Sequence, residues 1–345
     1  MDASIAAQQL YEVALPERVG ERAASRLVEL RDAFGADLAY VETELHRSSS
    51  EGTAPATDAA RHLLAAGGKR VRPLCVLLAA ACFTTKPNAA ARELAVVAEL
   101  VHLATLLHDD VVDDSDVRRG AVTARRVWGN AVSVLAGDLL LTHALERTAH
   151  VAPGPTMSEL LATLRRLVDG EVIQLRFRTS SQADESIYLS IIEGKTASLF
   201  SWAARAGARA GGGSDSEIAA LGELGRNVGI AFQLVDDALD YRGDPTHTGK
   251  HLLCDLREGK ITLPLLVAVA ARPELGRVVE RARAGDDGAA AELVDAVGKT
   301  RGAERTRARA EGHTRAALDA LGTLPASRAR DLLAALATEL TARAF

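Results

Sequence analysis

The chain reads as all-α, a single-domain bundle of about a dozen helices, on three observations. Alanine, leucine, arginine and glutamate dominate nearly every stretch, and these residues favour helix. Alternating apolar–polar runs are scarce and aromatic residues make up only 3%, which leaves little material for half-buried strands. Clusters of Gly, Pro, Ser, Asp or Asn interrupt the apolar runs at helix-like intervals. With 48% hydrophobic residues and no stretch of linker composition, the 345 residues are expected to form one domain over 1–345, flexible in residues 1–16.

The elements follow in order from those interruptions. Helical sequence runs to a break at Ser48–Pro55, resumes to Gly67-Gly68, and continues through the apolar Pro73–Phe83 stretch to Lys86-Pro87-Asn88. The next helix holds AELVHLATLLHDDVVDD, apolar around most of its girth at Leu100, Val101, Leu103, Leu106, Leu107 and Val111, and therefore expected to be buried. Further breaks are expected at Val151–Pro155, Gly211–Gly213, Arg242–Lys250 and Gly285–Gly288.

Bulk properties exclude several function classes. A formal net charge of −5 with no long basic run argues against nucleic acid as a partner. Cys75, Cys82 and Cys254 form no CxxC pair and read as thiols of a reducing compartment. The N-terminus lacks the basic start and apolar core of a signal peptide, and the longest apolar stretch is too short to span a bilayer. A cytoplasmic protein is expected.

Two copies of one acidic pattern carry the chemistry: Asp109-Asp110-Val-Val-Asp113 and Asp236-Asp237-Ala-Leu-Asp240. On a helix the first and last Asp of each lie at i and i+4, on one face a turn apart. Carboxylates in an apolar run need a cation, and two such clusters point to shared hard oxygen ligands for Mg²⁺ and, through it, substrate phosphates. For the first pattern alone, a solvated helix end paired with Arg118 and Arg119 explains the acids as well. Cations supply the complement. Gly67-Gly68-Lys69-Arg70-Val71-Arg72-Pro73 sets three of them beside glycines that permit close backbone approach, Arg118-Arg119-Gly120 follows the first acid cluster, and Lys195-Thr196, Lys250 and Lys260 lie in polar breaks. Together they suggest a site for two polyanions, one bound through metal and one through cations directly.

GGKRVRP, LLHDDVVDDSDVRRG, EGKTASLF, AFQLVDDALDY and DLREGKITLP, in that order, resemble the motif set of the trans-isoprenyl diphosphate synthases, the polyprenyl synthetase family, from about Gly67 to Leu265. The segment Leu324–Phe345 is also similar to long-chain members. The resemblance implies an isoprenoid-synthase-type bundle around a deep central cavity, with the acid clusters facing each other at its mouth. It implies that Asp109, Asp110, Asp113, Asp236, Asp237 and Asp240 hold Mg²⁺ on an allylic diphosphate gripped by Arg118, Lys195, Thr196, Gln233, Lys250 and Lys260. Isopentenyl diphosphate would meet Lys69, Arg72, His102 and Arg119. Gln174, three residues after Glu171, would orient a metal-bound water, or else be a helix-surface amide. The implied reaction condenses isopentenyl diphosphate with farnesyl or geranylgeranyl diphosphate to a medium- to long-chain all-trans polyprenyl diphosphate. A homodimer is implied too, with apolar surface around Leu94–Val101 left over for it, and peripheral membrane contact through the lipid product.

Ala98, Val101 and Ala104, spaced by three upstream of Asp109, would line the hydrocarbon channel with small or medium side chains, where short-chain relatives commonly place an aromatic near Ala104. Val122 departs from the proline of many short-chain members. The channel floor is expected near Leu139 and Leu140. A product longer than geranylgeranyl diphosphate follows. One departure from the family pattern K-x-x-G-x-D falls after Lys250, where Leu253 replaces the glycine and restricts the loop. The alternatives are a geranylgeranyl or farnesyl diphosphate synthase, or a partner subunit of a heteromeric synthase. A class I terpene cyclase would share the fold and the first motif but lack the second, and would line its pocket with aromatics.

Overall fold

In the computed structural model, which describes residues 21–178, 184–241 and 253–341, helices end where the sequence supplies turn residues. In chain order they are α1 (Glu21–Ser48), α2 (Ala56–Ala65), α3 (Val71–Ala81) and α4 (Ala89–Val112), then a hairpin of β1 (Val117–Arg118) and β2 (Ala121–Val122). Next come α5 (Ala124–Trp128), α6 (Asn130–Val151), α7 (Pro155–Phe177), α8 (Glu185–Ile192), a π-helical turn at Glu193–Ala197, α9 (Ser198–Gly211) and α10 (Asp215–Leu239). The C-terminal helices are α11 (Cys254–Arg257), α12 (Leu263–Ala271), α13 (Leu275–Arg283), α14 (Asp287–Thr300), α15 (Gly302–Gly322) and α16 (Arg328–Thr341). The breaks expected near residues 48, 67, 86, 151, 211 and 285 all fall between helices. Residues 1–16 and the Arg242–Lys250 break, with Lys250 itself, lie outside the described residues.

The chain forms two compact units. One comprises Met1–Leu160, Trp202–Gly222 and Leu324–Ala335. At its centre α4 packs chiefly on α6 and α3. Asn88 starts this helix, its side chain accepting a hydrogen bond from the Ala91 amide at 2.9 Å. Leu94 through Val101 are fully buried within this unit. The apolar face expected there for a partner copy is therefore consumed by the chain's own core, because α4 is apolar all round and neighbours cover every side of it.

The other unit comprises Leu161–Ser201, Glu223–Thr323 and Leu336–Phe345. Ala238, Tyr241, Leu256, Leu265 and Ala268 belong to one of its cores, which also takes in Leu253. Leu253 adopts φ +61°, the left-handed region that glycine enters freely. A leucine there costs about 1–2 kcal/mol, and burying its side chain offsets that by about 1.5–3 kcal/mol. The backbone N–H of Leu253 donates to the Asp240 carbonyl at 3.2 Å, which ties the returning chain to the second acidic motif.

Among the described residues no helix is long and apolar enough to cross a membrane.

Candidate functional site

The first unit carries the first acidic motif and the GGKRVRP segment. Asp109 and Asp113 keep partial exposure at the end of α4, whereas Asp110 is 1% exposed. The Asp113 amide donates to the Asp109 carbonyl at 2.8 Å, so the helical turn that aligns the two acids is complete, and Asp114 at φ +53° then ends the helix. Asp110 Oδ1 accepts from Arg118 Nε at 2.5 Å, while its buried Oδ2 has no hydrogen-bond partner among the described residues. Burial raises the Asp110 carboxyl above its ordinary range, with Asp109 adding to the effect and Arg118 opposing it. The acids beyond the motif are a helix end neutralised by cations: Arg125 pairs with both Asp114 and Asp116.

A feature that the sequence reading missed places Arg118. Val117 pairs with Val122 and Arg118 with Ala121 in a two-residue hairpin, whose central Arg119 and Gly120 both have positive φ, as a type I′ turn requires. The local signal was the Arg-Gly pair between two short runs carrying valine. The hairpin turns Arg118 back onto Asp110 and brings Arg119 toward the GGKRVRP segment. A Cβ on Gly68 would stand 2.5 Å from Arg70 Nη1 and 3.0 Å from Arg119 Nη1, so the glycine makes room for two guanidiniums.

The three cations of GGKRVRP divide into two roles. Arg70, at φ +47° and 6% exposed, caps α3 and is occupied by carboxylates: its Nη2 donates to Glu42 at 3.2 Å and its Nη1 to the buried Glu99 at 3.0 Å. Burial opposes its charge most strongly, yet Glu99 and Glu42 hold it above its ordinary value. Lys69 and Arg72 are half-buried. Burial, helped by Arg119 and opposed by Glu99, lowers the Arg72 guanidinium to about 10. Burial also lowers Arg119, helped by Arg70 and Arg118, and drives His102 well below its usual value alongside Arg72, Arg119, Arg118 and Arg70. His102 is therefore neutral, able to donate one hydrogen bond and accept one, within cations that depress one another. An incoming anion would relieve that repulsion.

The second unit repeats the arrangement at the second motif. Asp236 and Asp240 are half-buried, and Asp237 is 2% exposed. Both Asp237 oxygens accept from the protein: Oδ2 from the Tyr188 hydroxyl at 2.5 Å and Oδ1 from Gln233 Nε2 at 2.7 Å. Sequence reasoning gave Asp237 the same ligand role as its neighbours; the structure surrounds it with donors, because the i+1 position faces the core when i and i+4 face outward. Burial, then Asp255, pushes its carboxyl well above the ordinary range. Gln233 Oε1 accepts from Thr196 Oγ1 at 3.0 Å.

Lys195 and Thr196 sit in the π-helical turn, a local bulge that re-aims side chains. Gly170 and Gly194 allow α7 to approach this turn, since a Cβ on Gly194 would lie 2.8 Å from the Arg166 carbonyl. Lys195 pairs with Glu171, whose Oε1 accepts from Gln174 Nε2 at 3.1 Å. Gln174 is thus a buried partner of Glu171 and not a helix-surface amide. Lys260 Nζ lies 2.5 Å from Glu258.

Among the described residues no three His, Cys, Asp or Glu side chains are grouped so as to hold a metal ion. Mg²⁺ does not require such a cage, because it keeps several waters and binds through one or two carboxylates plus substrate phosphates. The hard oxygens of Asp109 and Asp113, beside the partnerless Asp110 Oδ2, fit that chemistry.

The polyprenyl synthetase family model matches residues 54–298. The chain is 36% identical over 309 residues to heptaprenyl diphosphate synthase component 2 of Geobacillus stearothermophilus, covering 90% of this chain and 96% of that one. Its structure resembles a decaprenyl diphosphate synthase from Rhodobacter capsulatus at TM-score 0.85 and 38% identity, covering 91% and 98% of the two chains. It equally resembles a polyprenyl synthase from Caulobacter crescentus CB15, complexed with calcium and isoprenyl diphosphate, at TM-score 0.85 and 37% identity over 95% and 99%. With both acidic motifs and the GGKRVRP segment inside the matched residues, the chain belongs to the polyprenyl synthetase family, prenyltransferases that join isopentenyl diphosphate to allylic diphosphates with a divalent metal.

Proposed function

We propose that this chain uses Mg²⁺ to condense isopentenyl diphosphate with farnesyl or geranylgeranyl diphosphate, giving a medium- to long-chain all-trans polyprenyl diphosphate. The observation that carries this reading is the same division in both acidic motifs, with outer aspartates partly exposed and the middle one buried and hydrogen-bonded. Asp109, Asp113, Asp236 and Asp240 are the ligands in this reading, while Asp110 and Asp237 anchor their surroundings. Mg²⁺, when bound, offsets negative charge on the departing pyrophosphate.

Arg118, Lys195, Thr196, Gln233, Lys250 and Lys260 hold the allylic diphosphate, the cations meeting charge that grows as its C1–O bond breaks. Lys69, Arg72, neutral His102 and Arg119 hold isopentenyl diphosphate, whose double bond attacks the allylic cation to form the new C–C bond. The proton then lost from the isopentenyl carbon goes to the released pyrophosphate, since no side chain of the motifs is an evident base. The site must keep water from the cation, which it would otherwise quench.

The purified chain, given farnesyl and isopentenyl diphosphates with Mg²⁺, is expected to release pyrophosphate and to lose that activity on chelation. A chain inert alone but active with a second protein would favour the partner-subunit reading, which the name of the Geobacillus relative (component 2) keeps in view. Products stopping at farnesyl or geranylgeranyl on chromatography would overturn the long-chain assignment.

The channel residues need revision. Ala98, Val101 and Ala104 are at most 1% exposed, closed into the core, whereas Thr105 and Leu106 keep partial exposure near His102 and Asp109. Leu140 is likewise core, and Leu139 meets the Gly52 segment. Thr105→Phe is therefore expected to shorten the product. Ala104→Phe must overpack and loses about 1–3 kcal/mol of stability. Product chromatography and thermal melts of the two variants separate the effects.

A homodimer is proposed through α7, whose Leu161, Val168, Val172 and Leu175 form an exposed stripe at coiled-coil spacing that a second copy of the chain can match by two-fold symmetry. Light scattering of Val168→Glu tests it, with a monomer expected. Free thiols at Cys75 and Cys82 accord with a reducing cytoplasm, where peripheral membrane contact would come through the lipid product.

A further inference from the structure

We propose that Tyr188 is a positioning residue for the allylic diphosphate, acting through a hydrogen-bond chain that fixes which way Gln233 and Thr196 point. The inference rests on the assignment of Gln233 and Thr196 to that substrate.

Tyr188 lies on α8 at 4% exposure, in a core with Ile192, Ala197, Ile230 and Leu234. Its hydroxyl donates to Asp237 Oδ2 at 2.5 Å, Gln233 Nε2 donates to Asp237 Oδ1 at 2.7 Å, and Thr196 Oγ1 donates to Gln233 Oε1 at 3.0 Å. The direction of this chain is set at its buried end. Asp237 Oδ1 accepts and Thr196 Oγ1 donates, so Gln233 turns its NH₂ toward Asp237 and its Oε1 toward Thr196. The Thr196 proton is then committed to Gln233. What remains for a ligand is the second N–H of the Gln233 amide. A diphosphate has acceptors in excess and few protons, so it is matched by an amide in this orientation and repelled by the flipped one, which would present oxygen.

Tyr188 supplies the donor that keeps both Asp237 oxygens satisfied without drawing further on Gln233. Remove the hydroxyl, and Oδ2 of the 2%-exposed Asp237 loses its donor. Such an oxygen costs enough to recruit the nearest donor. That donor is the second Gln233 N–H, and taking it strips the substrate-facing group. Tyr188 does not itself need to touch substrate, and its burial keeps it from doing so.

The test is Tyr188→Phe in the full-length chain, which keeps the ring in its apolar setting. KM for the allylic diphosphate is expected to rise about tenfold, the cost of losing one hydrogen bond to a charged group, with KM for isopentenyl diphosphate within about twofold. Calorimetric affinity for farnesyl thiodiphosphate, which does not ionise readily, should weaken by the same factor. Tyr188→Phe and Thr196→Val do not share a contact, so an ordinary structural role predicts that their effects on that affinity multiply. The chain predicts that the double variant is little worse than the weaker single variant. Unchanged allylic affinity in Tyr188→Phe, multiplicative effects, or equal weakening of both substrates would overturn the inference alone. A wild-type chain that binds no farnesyl thiodiphosphate would overturn the substrate assignment, and the inference with it.

Discussion

Alanine at Asp109 is expected to lower kcat by about 10³-fold or more while moving the thermal midpoint by no more than about 2 °C. The two halves of this expectation have separate causes. Asp109 is partly exposed at the end of α4, so removing its carboxyl deletes the proposed metal ligand without opening the core. The charge that the ion would neutralise on the leaving group then develops with less compensation, and the penalty falls on the transition state. Asp110→Ala is expected to behave differently, since Arg118 Nε loses its buried acceptor at 2.5 Å and stability falls together with activity. Asp236→Ala should follow Asp109, because it too is partly exposed in its motif. Steady-state pyrophosphate release and thermal melts of the three variants check the pattern. Asp109→Ala within tenfold of wild type would sink the ligand assignment.

The bundle was legible because helix formation and termination depend on residues close in sequence. Asn88 starts a helix through its own side chain, and Gly67-Gly68 and Gly211–Gly213 stop helices through their backbones, so reading them requires no tertiary knowledge. The acidic motifs were legible for the same reason, since i and i+4 share a face in any helix. What sequence did not reveal depends on distant partners. The buried middle position of each motif looked like its neighbours until Arg118 folded back through a hairpin and Tyr188 arrived from 49 residues away. The face around Leu94–Val101 looked spare only because nothing local says how many helices will cover it. Ala98, Val101 and Ala104 shared a spacing with Asp109, but spacing selects a side of the helix and not what lies against it.

Arg70 shows the largest gap between a residue's type and its use. Its place in GGKRVRP suggested a phosphate ligand, yet its partners Glu42 and Glu99 stand 28 and 29 residues away on α1 and α4. Arg70→Met is expected to destabilise the chain by about 3–5 kcal/mol, measured by urea denaturation, because it leaves the 2%-exposed Glu99 as a buried charge without its guanidinium. The cost comes from the stranded carboxylate more than from the lost attraction, and that distinction can be measured. Adding Glu99→Met to Arg70→Met should recover part of the loss, since Glu42, at 21% side-chain exposure, can return to water. Recovery should stay incomplete, because Glu99 also offsets Arg72 and Arg119. Arg70→Lys should fall between, since an ammonium cannot reach both carboxylates with a fixed fork. If Arg70→Met unfolds within about 1 kcal/mol of wild type, the network is ornamental and Arg70 is free to serve the diphosphate after all.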